Sequence, residues 1–196
     1  QYLDIIFYPD IGMSTDLYYL TFLKLAKIQI NTWGHPETSG NLSIDYFISS
    51  KLIEAENAQD NYSENLISLD HMPMYYFKPK LEFQIVNFNS LKKYACPQSL
   101  FKILPDFDIV LKEILVLDKN SEIYFIKDKH SHWYKILLKR WEKISIDTSR
   151  VHFVDTMTTE KFIHFCGNFR VLLDPLYFGA GNSFYESMIY GVPTVT

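Results

Sequence analysis

Residues 174–196, DPLYFGAGNSFYESMIYGVPTVT, together with the apolar run from Val171 to Leu173 before them, decide the fold. The apolar run predicts a buried strand, residues 182–190 predict a helix, and residues 192–196 predict a further strand. Glycines at 179 and 181 separate the first strand from the helix. A strand, a glycine turn, a helix and a second strand in this order are typical of a parallel sheet covered by helices, so we expect an α/β fold.

The same alternation extends over the rest of the chain. The strand-like runs are 3–8, 28–32, 45–49, the residues around Tyr94, 123–127 and 151–154, and the helical runs are 16–24, 105–115, 133–143 and one that opens at Thr158 or Thr159. From Pro73 to Ser90 the pattern weakens, and prolines at 73 and 79 interrupt it. We therefore predict two lobes, residues 1–79 and 80–196.

The composition is that of a globular protein without a broad cationic surface. A formal net charge of −4 with only 19 basic residues argues against a nucleic-acid partner. Cys96 and Cys166 lie in no zinc or disulfide spacing, so a reducing, cytoplasmic location is expected. No apolar run approaches the ~20 residues of a membrane span, and residues 1–10 have no signal-peptide features. Both ends of the chain read as strands, so we expect both to be cut.

The segment from Gly179 to Ser183 has two interpretations. Glycines let the backbone approach a ligand closely, and the free N–H groups of the helix that follows favour an anion such as a diphosphate. Alternatively, this is an ordinary turn in which Ser183 caps the helix and Glu186 completes a capping box. From the residues alone both interpretations stay open.

A second candidate segment is WGHPETSG, residues 33–40, which directly follows a predicted strand. Ligand loops of open α/β sheets occur at such positions. Two hydroxyls, of Thr38 and Ser39, and the bare backbone of Gly40 could hold sugar hydroxyls or an acceptor chain, although a plain loop also fits. His35 by itself is more often structural than catalytic.

The third candidate segment is PQSLFKILPDFD, residues 97–108. Lys102 stands among apolar neighbours, so its ammonium group must either reach water or meet an anion. Asp106 and Asp108 have the DxD spacing of a metal site, but after Pro105 and before an amphipathic run they fit better as carboxylates at the start of a helix. We therefore expect no metal.

Four segments together resemble the O-GlcNAc transferase and SPINDLY-like glycosyltransferases. They are YPDIGM (8–13), QINTWGHPETSGNLSIDYFIS (29–49), CPQSLFKILPDFD (96–108) and LLDPLYFGAGNSFYESMIYGVPTVT (172–196). Their order and spacing also match, and the similarity is closest to the bacterial branch, which includes enzymes that glucosylate asparagine. The chain is thus similar to a fragment of that catalytic core.

The resemblance implies the GT-B fold, two Rossmann-like lobes of which the first would be incomplete here and the second truncated. It implies that Lys102 neutralises the donor diphosphate and is the catalytic residue. Ser99, Gly179, Gly181, Asn182, Ser183 and Glu186 would join Lys102 in binding the donor, and His35, Pro36, Thr38, Ser39 and Gly40 would line the sugar and acceptor side.

The function implied is inverting, metal-independent transfer of GlcNAc or glucose from a UDP-sugar to Ser/Thr or Asn side chains of a protein. UDP-GlcNAc or UDP-glucose would be the donor substrate, and no cofactor is expected. The 196 residues alone are expected to be inactive. One alternative is a non-catalytic module that binds UDP or another protein, and a second is a glycan as acceptor.

Overall fold

A computed structural model describes residues 3–82, 92–128 and 132–196. The chain divides into two compact units, Gln1–Phe77 and Lys78–Thr196. The division falls after Phe77, close to the break expected after residue 79. Residues 83–90, the second half of the stretch in which the sequence pattern weakens, lie outside the described residues.

The first unit is built on a four-stranded parallel sheet. Its strands are β1 (Leu3–Tyr8), β2 (Ala26–Thr32), β3 (Tyr46–Ser50) and β4 (Asn65–Leu69), side by side in chain order. Tyr8, Ile11 and Ile44 form a small core on one face of this sheet. On β1, alternate residues Leu3, Ile5 and Phe7 are each more than half exposed.

Helix α1 (Thr15–Thr21) is shorter than the predicted run 16–24. It begins where the Ser14 hydroxyl accepts a hydrogen bond from the Leu17 N–H at 3.3 Å, the usual role of a serine N-cap. It ends because Lys24 takes a left-handed backbone conformation with φ of 46°. The Lys24 ammonium lies 2.5 Å from the carboxylate of Asp45, which ties this end of α1 to the start of β3.

The second unit is a five-stranded parallel sheet covered on both faces. Its strands are β5 (Lys92–Cys96), β6 (Ile123–Ile126), β7 (Val151–Val154), β8 (Phe169–Leu173) and β9 (Thr194–Val195), and its helices are α2 (Pro105–Leu117), α3 (His132–Lys143), α4 (Thr159–Cys166) and α5 (Asn182–Ser187). Helices α2 and α3 pack on one face around Phe125 and Trp141, and α4 packs on the other around Phe169. None of the helices in the described ranges is long and apolar enough to cross a membrane.

The strand order of this sheet, β7-β6-β5-β8-β9, reverses direction beside β5. The chain runs outward from β5 through β6 to β7 and then returns to place β8 on the other side of β5, with Tyr94 opposite Val171. Loops that leave the carboxyl ends of β5 and β8 therefore diverge at a topological switch point, where open α/β sheets bind ligands.

A buried ion pair joins α2 to α3. Asp108 is 1% exposed and accepts hydrogen bonds from Arg140 at 2.6 and 2.8 Å and from the Trp141 indole at 2.6 Å. Asp106 and Asp108 do lie in the first turn of α2, but Leu104 occupies the N-cap position. Asp108 thus lies at the start of the helix, as expected, and its carboxylate pairs with Arg140 instead of capping the helix.

Candidate functional site

Lys102 turns inward at the carboxyl end of β5. It ends a short 3-10 helix, Leu100–Lys102, and its Nζ lies 2.9 Å from Oε1 of Gln98 and 2.9 Å from the carbonyl oxygen of Gly179. The same atom lies 4.7 Å from the centroid of the Phe178 ring. These neutral oxygen acceptors fix the ammonium group against the loop after β8, and no anion among the described residues lies at hydrogen-bond distance from it.

The charge of Lys102 is opposed by a buried carboxylate. Burial lowers the pKa of Lys102, whereas the negative charge of Asp174 acts to raise it. Asp174, which directly follows β8, accepts hydrogen bonds from the Ala180 N–H at 2.9 and 3.1 Å, and burial raises its pKa. Asp174 therefore holds the glycine loop in place and partly balances the lysine, a role that no sequence signal indicated.

The glycine loop lies close against this carboxylate. A Cβ added at Gly179 would lie 2.3 Å from Oδ2 of Asp174, so any larger residue here would have to displace that carboxylate. Helix α5 begins at Asn182 after Gly181, which places Ser183 inside the helix instead of at its N-cap. The capping box of the plain-turn interpretation is therefore not formed, and the Ser183 Oγ accepts a hydrogen bond from Gln98 Nε2 at 3.3 Å.

The other predicted donor residues lie on the same two loops or on α5. Ser99 is exposed and lines a cavity of about 260 Å³ at the carboxyl edge of the sheet. That cavity is formed by residues from the loops after three strands, which are Pro97, Gln98, Ser99, Ile126, Lys127, Asp128 and Thr156. Asn182 is exposed, and Glu186 is half-buried on α5 with a pKa raised by burial. Of this set, Lys102 and Ser183 contact Gln98, which was quoted within a motif but assigned no role.

In the first unit, the hydroxyls of the loop 33–40 are held by a buried glutamate. Glu64 is 2% exposed and accepts hydrogen bonds from the Thr38 hydroxyl at 2.6 Å, the Ser39 N–H at 2.8 Å and the Ser39 hydroxyl. Burial alone would raise the pKa of Glu64, but these hydrogen bonds outweigh it and lower the pKa. The carboxylate therefore fixes the shape of the loop.

A cavity of about 310 Å³ lies beside this loop, where β1 and β2 end. It is lined by Ile11, Gly12, Ser14, Thr15, Tyr18, Asn31, His35, Glu37, Thr38 and Ser39. The loop approaches the end of β1 so closely that a Cβ at Gly34 would lie 1.9 Å from the carbonyl oxygen of Pro9. The His35 ring packs against Gly12, and its Nε2 lies 3.7 Å from the carboxylate of Glu37. Pro36 and Gly40 are exposed on the same loop.

The DxD-like triplet does not present two free carboxylates. Asp108 is committed to Arg140 and Trp141, and Asp106 accepts a hydrogen bond from the Tyr177 hydroxyl at 2.5 Å. Across the described part of the chain, no cluster of three His, Cys, Asp or Glu side chains has metal-binding geometry.

The architecture matches solved glycosyltransferase structures. A mutant of the O-GlcNAc transferase from Thermobaculum terrenum superposes with a TM-score of 0.87 at 18% identity, over 98% of this chain and 38% of the other. TarM gives 0.59 at 16% identity, over 97% of this chain and 40% of the other. The fold is GT-B.

A further match has a smaller overlap. A mutant of S. aureus TarM in complex with fondaparinux, alpha-GlcNAc-glycerol and UDP has a TM-score of 0.51 at 15% identity, over 87% of this chain and 36% of the other. This GT-B chain thus spans only about two fifths of the length of the structures that it matches. No family model and no curated protein matches the sequence.

Proposed function

We propose that this chain is the core of a glycosyltransferase that uses a UDP-sugar as donor. The observation that carries the proposal is the contact between Lys102 and Gly179, which brings a half-buried ammonium group and a glycine loop together at the switch point of the second unit. Cations and backbone N–H groups gathered at this place are what a diphosphate requires. The match to GT-B structures, one of them holding UDP, supports the choice of nucleotide.

Lys102 would supply most of the chemistry. When the sugar leaves its donor, negative charge builds on the β-phosphate of UDP, and a preorganised ammonium group can stabilise that charge. Ser99, Gly179, Gly181, Asn182, Ser183 and Glu186 would hold the rest of the donor, as the sequence resemblance implies. We propose that transfer inverts the anomeric centre, as the resemblance implies. Because Asp108 is paired to Arg140, we also propose that transfer needs no metal ion.

The acceptor side would be the loop that carries His35, Pro36, Thr38, Ser39 and Gly40. Because Glu64 holds the hydroxyls of Thr38 and Ser39, this loop would act through its fixed shape and its backbone more than through free hydroxyl groups. We propose a protein acceptor, at Ser/Thr or Asn, in line with the resemblance. A glycan is the second candidate, favoured by the TarM complex with sugar ligands.

The proposal is tested by incubating the full-length protein with UDP-GlcNAc or UDP-glucose, with and without EDTA. We expect UDP release and, by mass spectrometry, a hexose or N-acetylhexosamine on acceptor peptides in both conditions. UDP binding without turnover of either donor would instead indicate a non-catalytic module. Failure to bind UDP at all would contradict the proposed function.

A further inference from the structure

Gln98 connects the two loops of the proposed donor site through a single side chain. It is 6% exposed and lies two residues after the end of β5. Its Oε1 accepts a hydrogen bond from Lys102 Nζ at 2.9 Å, and its Nε2 donates one to Ser183 Oγ at 3.3 Å. The amide thus contacts both the lysine after β5 and the helix after β8.

Chemistry fixes which way this amide points. An ammonium group can only donate hydrogen bonds, so the carbonyl oxygen of Gln98 must face Lys102 and the NH₂ group must face Ser183. The Ser183 oxygen is then an acceptor toward Gln98, and its own hydrogen points elsewhere. Lys102 has three N–H groups, of which Gln98 and Gly179 receive two.

We propose that Gln98 is a positioning residue that directs two hydrogen-bond donors, the third N–H of Lys102 and the O–H of Ser183, toward the diphosphate of the donor. The inference rests on the proposed function and adds a residue to it. Gln98 does this without charge, so it adds nothing to the partial balance of Lys102 by Asp174.

A carboxylate at this position would have the opposite effect. It would offset the positive charge of Lys102 and accept the hydrogen of the Ser183 hydroxyl, so that the ligand would meet a weaker cation and lose the Ser183 donor. Once protonated, however, the same carboxyl group again has one acceptor oxygen and one O–H donor, as the amide does. The variant Gln98→Glu should therefore be defective when ionised and recover when protonated.

The test measures UDP affinity and kcat of the full-length Gln98→Glu protein relative to the parent across a range of pH. At neutral pH we expect both to be about ten- to a hundredfold lower, the worth of a hydrogen bond to a charged group. The deficit should shrink as the pH falls through the titration of the introduced carboxyl. Lys102, Asp174, Lys127 and Asp128 also face this region, but they are present in both proteins, so they affect the ratio only through their coupling to the introduced carboxyl.

Two further variants complete the experiment. Gln98→Met keeps the length and lacks both charge and the amide hydrogen bonds, so its kcat should fall at least about tenfold at every pH. If the carboxylate of Gln98→Glu prevents folding, this variant tests the inference in its place. Asn168→Asp makes the same amide-to-carboxylate change at the amino end of β8, where the Asn168 Nδ2 donates a hydrogen bond to the His164 carbonyl oxygen at 2.7 Å. This control variant should keep the UDP affinity and the kcat of the parent.

If the parent binds UDP and Gln98→Glu has the same UDP affinity at neutral pH, the inference is overturned and the proposed function still stands. A deficit that does not change with pH would also overturn it, because loss of packing alone has no acid rescue. A parent that fails to bind UDP would overturn the proposed function itself.

Discussion

The Nζ atom of Lys102 lies 2.9 Å from the carbonyl oxygen of Gly179, although 77 residues separate the two in the chain. The lysine belongs to the loop after β5 and the glycine to the loop after β8, which are neighbours in the sheet. The contact therefore depends on the strand order and cannot form in either loop alone.

Replacing this lysine should damage the reaction far more than the fold. In Lys102→Met the charge that faces the leaving diphosphate is lost, and kcat should fall by ~10² to 10³, as for other preorganised stabilisers of developing charge. Thermal stability should change little, because burial already disfavours the charged form of this lysine and lowers its pKa. Single-turnover rates and melting curves of the full-length protein test both statements.

Lys93→Met is the matched control. Lys93 lies on β5 itself, its side chain is about a third exposed, and it pairs with the carboxylate of Asp118 at 2.8 Å, at the end of α2 and not on the loops of the proposed donor site. Its kcat should remain that of the parent. Equal losses in the two variants would contradict the role given to Lys102.

Gly34 should tolerate no side chain. In Gly34→Ala the new Cβ would collide with the carbonyl oxygen of Pro9, a backbone atom that cannot rotate away, so the loop 33–40 must shift. Overpacking of this kind typically costs about 1–3 kcal/mol of unfolding free energy. The Michaelis constant for the acceptor should rise while UDP affinity stays constant.

Gly40→Ala separates this collision from simple backbone strain. Gly40 has φ of 65°, but nothing lies within 4 Å of an added Cβ. Only the left-handed conformation is penalised, at about 1 kcal/mol. Denaturant unfolding measures the loss of unfolding free energy in both variants. If Gly34→Ala loses less than Gly40→Ala, the close approach at Pro9 does not determine the conformation of the loop.

Asp108 should be needed for stability and not for a metal. Removing it in Asp108→Ala leaves the Arg140 guanidinium and the Trp141 indole without their acceptor. We expect a loss of about 3 kcal/mol, the lower end for a broken buried pair, because Arg140 is 28% exposed and can be partly rehydrated.

Added manganese distinguishes a structural role of Asp108 from a metal-binding role. Transfer by the parent should proceed at the same rate with and without added manganese, and the folded fraction of Asp108→Ala should keep that rate. Asp4→Ala, which removes one partner of the exposed pair with Lys27, is the control for stability and should leave the melting temperature unchanged. Transfer that requires manganese in the parent and disappears in folded Asp108→Ala would contradict this assignment.

Glu64 should make the first unit sensitive to acid. Its folded-state pKa is lowered below the ordinary value of 4.5, so the folded protein binds fewer protons than the unfolded chain. The stability that it contributes is therefore fully present above about pH 4.5 and is lost as the pH falls through the lowered pKa.

The comparison is between the parent and Glu64→Gln. At neutral pH the variant should be less stable by about 1.5–3 kcal/mol, since hydrogen bonds to a charged carboxylate become bonds to a neutral amide. Denaturant unfolding in acid should show the two proteins converging, because the other carboxylates are common to both. A stability difference that is constant with pH would show that Glu64 is not ionised in the fold.

Strands and the carboxyl-edge position of the loops could be predicted from the sequence because they depend on local patterns. Val151–Val154 and Leu3–Tyr8 are short apolar runs, and their bounds follow directly from those runs. Helix ends were less predictable. The helix expected to reach Tyr190 is an α-helix only to Ser187 and continues as a 3-10 turn that ends at Gly191.

The partners of charged side chains could not be predicted, because they lie far away in the chain. Whether Lys102 reaches water or turns inward depends on the Gly179 carbonyl, and whether Asp108 caps a helix depends on Arg140, 32 residues later. Glu64 ends a charged, polar stretch and has no local sign that it will be buried under Thr38 and Ser39. Roles within the donor and acceptor sets stay predictions until the variants are measured.

The strand order also sets when the proposed donor site can form during folding. The chain between β5 and β8 contains β6 and β7, so the pairing of β8 with β5 closes the longest stretch of chain in the sheet and should be slow relative to local pairing. UDP would then bind only molecules that have completed the closure. It should slow unfolding without speeding the early collapse of the second unit.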